Sequence, residues 1–452
     1  MSEKFDVVVI GSGPGGFRAA TRCTQKNAST AIIEKESIGG VCLNWGCIPS
    51  KTLLASARTL LTAKNAGNMG IDVGSAIADW TKIQTRKDNV ITTLRKGMTA
   101  SMKTAGAKMI QGSAIATSPH KIIIQSNGTT TELQTDKIII ATGSKPIEIP
   151  NIPFDGQTVI SSKEALNLTR IPKSMVIVGG GVIGCEMACV YTAVGTKVTI
   201  VEALSQLLPM EDQWVGRLIE REFKKLDIDV FTNQKVASVD KSGDLPKVTL
   251  QSGQTIEAEK ILVSVGRKAT CDRETVENLN LNLNGPVISV NEKMETNIPG
   301  VYAVGDVAGT TYLAHGATTE AEVAAANATG DNKKMADYSL IPRVIYTFPE
   351  VASVGKPQKT CESEGIDISV GKAFFKANGR SVAHNQTTGQ IRVVRNKSTN
   401  RIMGITIVGE MATELISAAR ILIGTSEKIN EITFAHPTLS ETLEEAVENA
   451  LA

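Results

Sequence analysis

The sequence predicts an α/β fold that contains one strand–helix–strand unit twice and ends in a region of mixed α+β character. Residues 5–35 and 174–203 each comprise a short apolar strand, a glycine-rich turn, a helix and a second apolar strand that ends in an acidic residue. The glycine motifs begin at Gly11 and Gly179, so the second unit follows the first by 168 residues. Units of this pattern form Rossmann-like dinucleotide-binding domains, and the chain is therefore predicted to contain two of them.

Further strands and helices follow from residue type and spacing. Runs rich in β-branched residues predict strands over 136–143, 260–267 and 300–306, because such side chains favour an extended backbone. Apolar residues at helical spacing predict helices over 50–65 and 315–328.

The pattern changes from about Tyr338. Residues 391–394 and 402–409 predict a pair of antiparallel strands, and a helix is expected near 413–423. The C-terminal region is therefore predicted to be a mixed α+β domain, different in kind from the two units before it.

Composition excludes several classes of protein. The chain has 452 residues, of which 42% are hydrophobic and 21% are charged, and its formal net charge is +2. It has neither a basic run nor an acidic tail, so we expect it to bind neither nucleic acid nor a membrane. No stretch reaches the ~18 consecutive apolar residues of a spanning helix. The start lacks the pattern of a signal or transit peptide, which predicts a cytoplasmic protein.

The first glycine motif carries the residues expected to bind a dinucleotide. Gly11 permits a tight turn, Gly13 lets the backbone approach a pyrophosphate at the helix N-terminus, and Gly16 lets the helix pack on the strand. Glu34 ends the second strand, where a carboxylate can accept hydrogen bonds from a ribose diol.

The second glycine motif repeats this arrangement with Gly179, Gly181 and Gly184, and with Glu202 as its acid. A carboxylate at this position repels a 2′-phosphate. The motif therefore favours NAD over NADP.

Two shorter motifs favour FAD as the first cofactor. Thr142, Gly143 and Ser144 stand at the end of the strand predicted over 136–143, where they can close over the adenosine half of the cofactor. Asp306 ends the strand predicted over 300–306 and is suited to binding ribityl hydroxyls. The alternative for Asp306 is an ordinary helix N-cap, and the sequence leaves both interpretations open.

Two of the seven cysteines are candidates for redox chemistry. Cys42 and Cys47 are separated by four residues and precede a helix expected to start near Pro49, whose N-terminus stabilises a thiolate. Because no second Cys or Cys/His pair stands nearby to complete four ligands, a metal site is not expected. Two buried structural cysteines are the alternative, and the preceding dinucleotide motif favours the redox pair.

With these motifs the chain resembles the pyridine nucleotide–disulfide oxidoreductases over nearly its whole length. The segments that carry the resemblance are GGVCLNWGCIPSK, ATGSKP, GGGVIGCE, TNIPGVYAVGD, IPRVIYTFPEVASVG and FAHPTLSE. Within the family, CLNWGCIPSK is more similar to the branch that acts on lipoamide than to the glutathione branch.

The resemblance implies roles for individual residues. Cys42 would be the thiol that exchanges with substrate and Cys47 the thiol against the flavin. Lys51 would lie near the flavin and pair with Glu186. The alternative for Lys51 is an ordinary surface lysine, and the alternative for Glu186 is a salt bridge without a chemical role.

The same resemblance implies a catalytic base. His436 would take a proton from a thiol, with Glu441 orienting the imidazole, and histidine is a residue type suited to proton transfer at neutral pH. A loop histidine without a catalytic role is the alternative. His315 is expected at a helix start beside the flavin ring and is not assigned a catalytic role.

Further cofactor contacts and the domain boundaries also come from the resemblance. Ala114 and Ala314 would contact FAD, and Val236 and Gly266 would contact NAD. The predicted domains are an FAD-binding domain over 1–145, an NAD-binding domain over 146–264, a second FAD-binding or central part over 265–337, and a C-terminal dimerisation domain over 338–452.

The implied reaction is oxidation of dihydrolipoamide to lipoamide with reduction of NAD⁺ by a homodimer. The implied partners are lipoyl domains of 2-oxo acid dehydrogenase acyltransferase subunits, or the carrier protein of glycine cleavage. Alternatives are a glutathione- or mercuric-reductase-like enzyme and a non-catalytic docking subunit. The chain departs from the family pattern at Trp45, Phe434 and Lys268-Ala269, which concerns substrate fit rather than the reaction class.

Overall fold

A computed structural model describes residues 3–424 and 432–452. The chain divides into two compact units. The first unit comprises residues up to 52, 85–147 and 266–338, and the second comprises 53–84, 148–265 and 339–452. The domain boundaries predicted from the sequence stay predictions.

A seven-stranded sheet forms the centre of the first unit. Strand Glu3–Ile10 pairs in parallel with Thr30–Glu34 on one side and with Thr129–Ile140 on the other. Val7 and Val9 point into one hydrophobic cluster, and Val8 and Ile10 point into another on the opposite face. Both faces are covered, which explains the uninterrupted apolar run of this strand. The remaining strands of the sheet are Lys108–Gln111, Ser113–Ser118, Lys121–Ser126 and Val301–Ala303.

Helices cover this sheet. Helix Pro14–Gln25 follows the first glycine motif, and Ala314–Ala328 packs beside it. Other helices are Gly40–Trp45 and Arg273–Asn278, together with Cys47–Lys64, which continues into the second unit, and Trp80–Ala105, which begins there. Two short antiparallel strand pairs are Ser144–Pro146 with Arg267–Ala269 and Leu283–Asn284 with Val287–Ile288.

The second unit contains a five-stranded parallel sheet built on the second glycine motif. Strand Ser174–Val178 pairs in parallel with Lys197–Val201 and with Lys260–Val263. The other elements of this part are strands Asp229–Phe231 and Val159–Ile160, helices Ser162–Ala165, Val182–Ala193 and Gln213–Lys225, and the antiparallel strands Val236–Asp240, Lys247–Leu250 and Thr255–Glu257.

The C-terminal part of the second unit is an antiparallel five-stranded sheet with helices packed on it. Strands Gln390–Asn396 and Ile402–Gly409 pair antiparallel, as predicted, and helix Ala412–Leu422 confirms the helix expected near 413–423. Helix Ser440–Leu451 packs on strand Ile368–Phe374. The remaining strands and α-helices of this part are Arg343–Ile345, Glu350–Gly355, Gln358–Ser363 and Gly379–Ala383.

The internal repeat predicted from the sequence is visible as repeated hydrogen bonds. The amide of Gly11 donates to the carbonyl of Ile33 at 2.8 Å, and the amide of Gly179 donates to that of Val201 at the same distance. Donor and acceptor of the second bond each lie 168 residues after their counterparts in the first bond. The predicted α/β class, with two dinucleotide-binding sheets and a mixed C-terminal domain, is confirmed.

Some predicted bounds differ from the structure. The strand predicted over 260–267 ends at Val263, and the helix predicted to start near Pro49 begins two residues earlier, at Cys47. The short helix Gly40–Trp45 was not predicted, because it begins with a glycine that follows another glycine and spans only six residues. Among the described residues, no helix is long and apolar enough to cross a membrane.

Arg58 provides a test of the charge balance within the second unit. Its guanidinium donates to Glu410 at 2.7 Å and to Glu350 at 3.0 Å. Burial raises the pKa of Glu350, and Arg58 opposes that rise. We expect Arg58→Met to lower the free energy of unfolding by about 1–3 kcal/mol, because it leaves a buried carboxylate without its cation.

The pH dependence of this loss distinguishes the charge effect from lost packing. A group whose folded-state pKa is raised favours folding at low pH, and removing Arg58 raises the pKa of Glu350 further. The deficit of the variant should therefore shrink as Glu350 becomes protonated. Denaturant unfolding at several pH values measures it, and a deficit that is constant with pH would contradict the electrostatic explanation.

Candidate active site

The first glycine motif is shaped by close contacts of its backbone. Gly11 has φ +99°, and a Cβ there would lie 2.4 Å from the carbonyl oxygen of Ala141. A Cβ at Gly16 would lie 1.9 Å from the carbonyl oxygen of Gly11. A Cβ at Gly13, in contrast, would meet no protein atom within 4 Å. The motif therefore packs tightly inward and leaves space outside Gly13 that fits the pyrophosphate of FAD.

Glu34 lies at the end of its strand, as the sequence predicts. Its Oε2 accepts hydrogen bonds from the amide of Ser12 at 2.9 Å and from the Ser12 hydroxyl at 2.6 Å. The carboxylate borders a small, mainly apolar cavity of about 150 Å³ that Ile38 and Met109 help to form. An acid beside open apolar space fits the adenosine half of a dinucleotide.

Asp306 belongs to the short 3₁₀ turn Gly305–Ala308. Its carboxylate accepts a hydrogen bond from the Ser144 hydroxyl. The N-cap interpretation is wrong, because the next α-helix begins at Ala314 with Leu313 as its N-cap. The Asp306 carboxylate is therefore a candidate FAD contact.

Arg267 completes this cluster and was not identified from the sequence as a site residue. Its Nε donates to the Ser144 hydroxyl at 2.8 Å and a terminal nitrogen donates to the Ser144 carbonyl at 2.7 Å. The glycine–arginine pair a few residues after strand Lys260–Val263 was the available signal in the sequence.

The other predicted FAD contacts lie in the same unit. The hydroxyl of Thr142 donates to the carbonyl of Thr270 at 2.5 Å, and the carbonyl of Gly143 accepts from the amide of Thr270. Ala114 lies in strand Ser113–Ser118 and Ala314 is the first residue of its helix. Their contacts with FAD stay predictions.

Cys42 and Cys47 form a disulfide, with their Cα atoms 4.7 Å apart. Cys42 lies in the short helix Gly40–Trp45, and Cys47 is the first residue of the 18-residue helix Cys47–Lys64. The positive end of a helix stabilises a thiolate and lowers its pKa. Cys47 is therefore placed to leave as a thiolate when the disulfide is reduced.

The disulfide segment is docked on the first glycine motif. The amide of Gly39 donates to the carbonyl and to the hydroxyl of Ser12, each at 3.1 Å. A Cβ at Gly40 would lie 2.9 Å from the Cα of Gly13. The two glycines before Cys42 thus allow the redox segment to lie directly against the proposed pyrophosphate-binding turn.

Burial makes the other cysteines poor nucleophiles. The remaining five cysteines are unpaired, and desolvation raises the pKa of Cys23 and of Cys189 to about 12 and that of Cys271 to about 11. The thiolate is the reactive form of cysteine, so thiol chemistry is concentrated at Cys42 and Cys47. Within the described residues, no group of three or more His, Cys, Asp or Glu side chains could hold a metal ion.

The second glycine motif has the same geometry as the first. A Cβ at Gly184 would lie 2.0 Å from the carbonyl oxygen of Gly179, and a Cβ at Gly181 would meet nothing within 4 Å. Glu202 accepts hydrogen bonds from the amides of Gly180 at 2.6 Å and Leu204 at 2.7 Å. The arrangement fits the pyrophosphate and ribose of NAD.

The histidine–glutamate pair lies at the start of helix Ser440–Leu451. Nδ1 of His436 lies 2.7 Å from Oε1 of Glu441, and the other carboxylate oxygen accepts from the amide of Thr438 at 2.7 Å. These two bonds, the Thr438 amide first, lower the pKa of Glu441. The His436 side chain is 80% exposed, which leaves Nε2 accessible for proton transfer.

The remaining predicted residues are spread over both units. Lys51 lies one turn after Cys47 in its helix, and Glu186 is buried in helix Val182–Ala193, where it accepts from the amide of Tyr346 at 3.0 Å. The pairing of Lys51 with Glu186 stays a prediction. Other positions are Val236 at the start of its strand, Gly266 after strand Lys260–Val263, and His315 as the second residue of helix Ala314–Ala328.

Comparisons with known proteins agree with this geometry. Residues 5–321 match the family described as pyridine nucleotide-disulphide oxidoreductase, and residues 341–447 match its dimerisation domain. The chain is 37% identical to dihydrolipoyl dehydrogenases of Bacillus subtilis (98% of this chain and 97% of that protein) and of Chlorobaculum tepidum (100% and 98%). The crystal structure of LpdA from Mycobacterium tuberculosis superposes with a TM-score of 0.92, at 26% identity and with both chains fully covered.

The chain belongs to the pyridine nucleotide-disulphide oxidoreductase family. Within that family, the curated proteins to which it is similar over its full length are dihydrolipoyl dehydrogenases. It is an oxidoreductase with FAD and NAD as cofactors and a redox-active disulfide between Cys42 and Cys47.

The glycines of the second motif provide a matched pair of variants. Gly181→Ala places a methyl group in open space, so the chain should fold and keep FAD, but NAD should bind about tenfold or more weakly because the backbone can no longer approach the pyrophosphate. Gly184→Ala should instead destabilise the fold, because its Cβ clashes with a carbonyl oxygen. NADH titration and thermal unfolding separate the two effects. Equal NADH affinity of Gly181→Ala and the unaltered protein would contradict the assignment.

Proposed function

We propose that the chain acts as a dihydrolipoyl dehydrogenase, which oxidises dihydrolipoamide to lipoamide and reduces NAD⁺. The observation that carries the proposal is the Cys42–Cys47 disulfide. Cys47 is the first residue of a helix, and the segment that leads into Cys42 lies against the first dinucleotide motif. Full-length similarity to dihydrolipoyl dehydrogenases supports the choice of substrate.

The thiol exchange follows from the positions of the two cysteines. A substrate thiolate attacks Sγ of Cys42, the disulfide breaks, and Cys47 leaves as a thiolate stabilised by the helix N-terminus. The second substrate thiolate then attacks the substrate sulfur of the mixed disulfide, which releases lipoamide and the Cys42 thiolate. Bound FAD would supply the two-electron carrier between the dithiol and the nicotinamide.

His436 serves as the base in this proposal. Glu441 holds Nδ1, so Nε2 takes the proton of the substrate thiol and generates the attacking thiolate. In this proposal Lys51, one turn from Cys47, would help to hold bound FAD, and Glu186 would be the acid that pairs with it.

The substrate site is shared between two subunits of a C₂ homodimer. His436 lies in the part of the chain that matches the family's dimerisation domain, whereas Cys42 lies in the part that matches the other domain. We assign His436 of one subunit to act on the partner's Cys42. This arrangement joins residues from the two ends of the sequence in one site.

The protein partners follow from the substrate. Dihydrolipoamide is carried on lipoyl domains of 2-oxo acid dehydrogenase acyltransferase subunits, or on the carrier protein of glycine cleavage. The cytoplasmic location stays a prediction from the sequence.

Two alternatives are less well supported. A mercuric reductase would carry a further cysteine pair near its C-terminus, whereas the last cysteine here is Cys361. A docking-only subunit does not need a disulfide held at a helix N-terminus beside a dinucleotide motif.

Turnover of cysteine variants tests the redox roles. Cys42→Ser and Cys47→Ser should each lower lipoamide-dependent NADH formation by about three orders of magnitude or more, because neither variant can form the disulfide. Cys42→Ser should keep the long-wavelength absorption of a thiolate beside the flavin, and Cys47→Ser should lose it. The buried Cys23→Ala serves as a control with near-normal activity. Near-normal turnover by both active-site variants, or equal rates of the unaltered protein with NAD⁺ and NADP⁺, would refute the proposal.

Complementation tests the shared site. A heterodimer of one Cys42→Ser chain and one His436→Gln chain, purified with two affinity tags, contains one site with both lesions and one with neither if the base acts across the interface. Its activity should then reach about half that of the wild-type dimer. If each subunit supplies its own base, both sites are damaged, and an inactive heterodimer would refute the shared-site assignment.

A further inference from the structure

Asn44 lies between the two redox cysteines and is almost completely buried, with 5% exposure. Its side-chain nitrogen donates to the carbonyl oxygens of Ile38 at 3.0 Å and Gly40 at 2.8 Å, and it lies 3.4 Å from that of Ser37. These carbonyls belong to the segment that leads into Cys42. The amide thus ties the helix that carries Cys42 to the chain before it.

Arg95 completes the hydrogen bonding of Asn44 from a distant part of the sequence. Arg95 lies in helix Trp80–Ala105, and its guanidinium donates to Oδ1 of Asn44 through Nε at 3.2 Å and a terminal nitrogen at 2.5 Å. Hydrogen bonds from a charged donor are shorter and stronger than neutral ones. Asn44 therefore has partners for its acceptor and its donors, and one of them is a permanent cation.

We propose that Asn44 and Arg95 form a clamp that positions the redox pair and favours the disulfide over the dithiol. None of the clamp's bonds involves a sulfur atom, so the clamp can persist when the disulfide opens. It then keeps the helix Gly40–Trp45 in place and holds the Cys42 thiol close to the Cys47 thiol. Two thiols held close together form a disulfide more readily than two thiols that separate freely.

The clamp concerns the energetics of the cysteine pair and goes beyond the identity of the substrate. Arg95 and Asn44 are positioning residues, since they act through the segment that carries Cys42. If Asn44 were only a buried structural residue, its replacement would change the stability of the fold and leave the thiol–disulfide equilibrium unchanged. The thiol–disulfide equilibrium is therefore the quantity that distinguishes a positioning role from a structural one.

The experiment equilibrates the holoenzyme, without oxygen, in buffers of reduced and oxidised dithiothreitol. Free thiols are then alkylated, and the peptides that contain Cys42 and Cys47 are measured by mass spectrometry. The variants are Asn44→Ala, Arg95→Met and Arg95→Lys. The matched control is Lys96→Met, which removes the neighbouring exposed cation of the same helix.

Arg95→Met and Asn44→Ala should each shift the equilibrium toward the dithiol by about threefold or more. Arg95→Lys should restore part of the shift, since an ammonium can donate one hydrogen bond to Oδ1. Lys96→Met should behave as the unaltered protein. If Arg95→Met matches Lys96→Met while retaining FAD and its normal unfolding temperature, the clamp proposal is wrong.

Two further outcomes are informative. If Asn44→Ala fails to fold, the result for Arg95→Met decides whether the clamp proposal holds. Arg95 is only half-buried, so its replacement is expected to leave the fold intact. The readout does not use lipoamide turnover. If the variants shift the equilibrium but the unaltered protein lacks lipoamide activity, the clamp is upheld and the proposed function is refuted. If the unaltered protein has lipoamide activity but the variants leave the equilibrium unshifted, the proposed function is upheld and the clamp is refuted.

Discussion

In both dinucleotide motifs the helix lies against the glycine-rich turn that precedes it. The contact is so close that only the hydrogen atom of a glycine fits between them. At Gly16 and Gly184 a methyl group would lie about 2 Å from a backbone carbonyl. This approach fixes where each helix begins, and hence where its exposed N–H groups and positive end point. In the first unit the same turn supports the redox segment, since Gly40 contacts Gly13. The position of the disulfide thus depends on this backbone packing as well as on the side chains around it.

Electrostatics separate the reactive thiols from the inert ones. Buried cysteines away from the disulfide lose hydration, which raises their pKa and keeps them protonated at neutral pH. Cys47 begins a helix instead, where the backbone stabilises negative charge. One residue type therefore has two chemical behaviours in this chain, and location decides between them.

Sequence patterns predicted those features that depend on neighbouring residues. The glycine spacing, the acids at the strand ends and the helix after the disulfide are local, and the hydrogen bonds repeated at 168 residues confirm the duplication. The contact between Asn44 and Arg95 joins residues that are far apart in sequence, and no local pattern marks Arg95 as a partner. Arg267 is similar, because its contact with Ser144 requires the fold of the first unit. The proposed sharing of a site between subunits would depend on assembly and is further still from any local pattern.

The bond between His436 and Glu441 restricts how protons can travel. With Nδ1 directed at a carboxylate whose pKa is lowered, the imidazole donates there and has a single lone pair, on Nε2. A proton that arrives on Nε2 must also depart from it. As the base proposed above, the histidine can accept the next proton only after that atom has delivered the first one to water or to another acceptor. Turnover at such a base is a strict alternation of loading and unloading at one nitrogen atom.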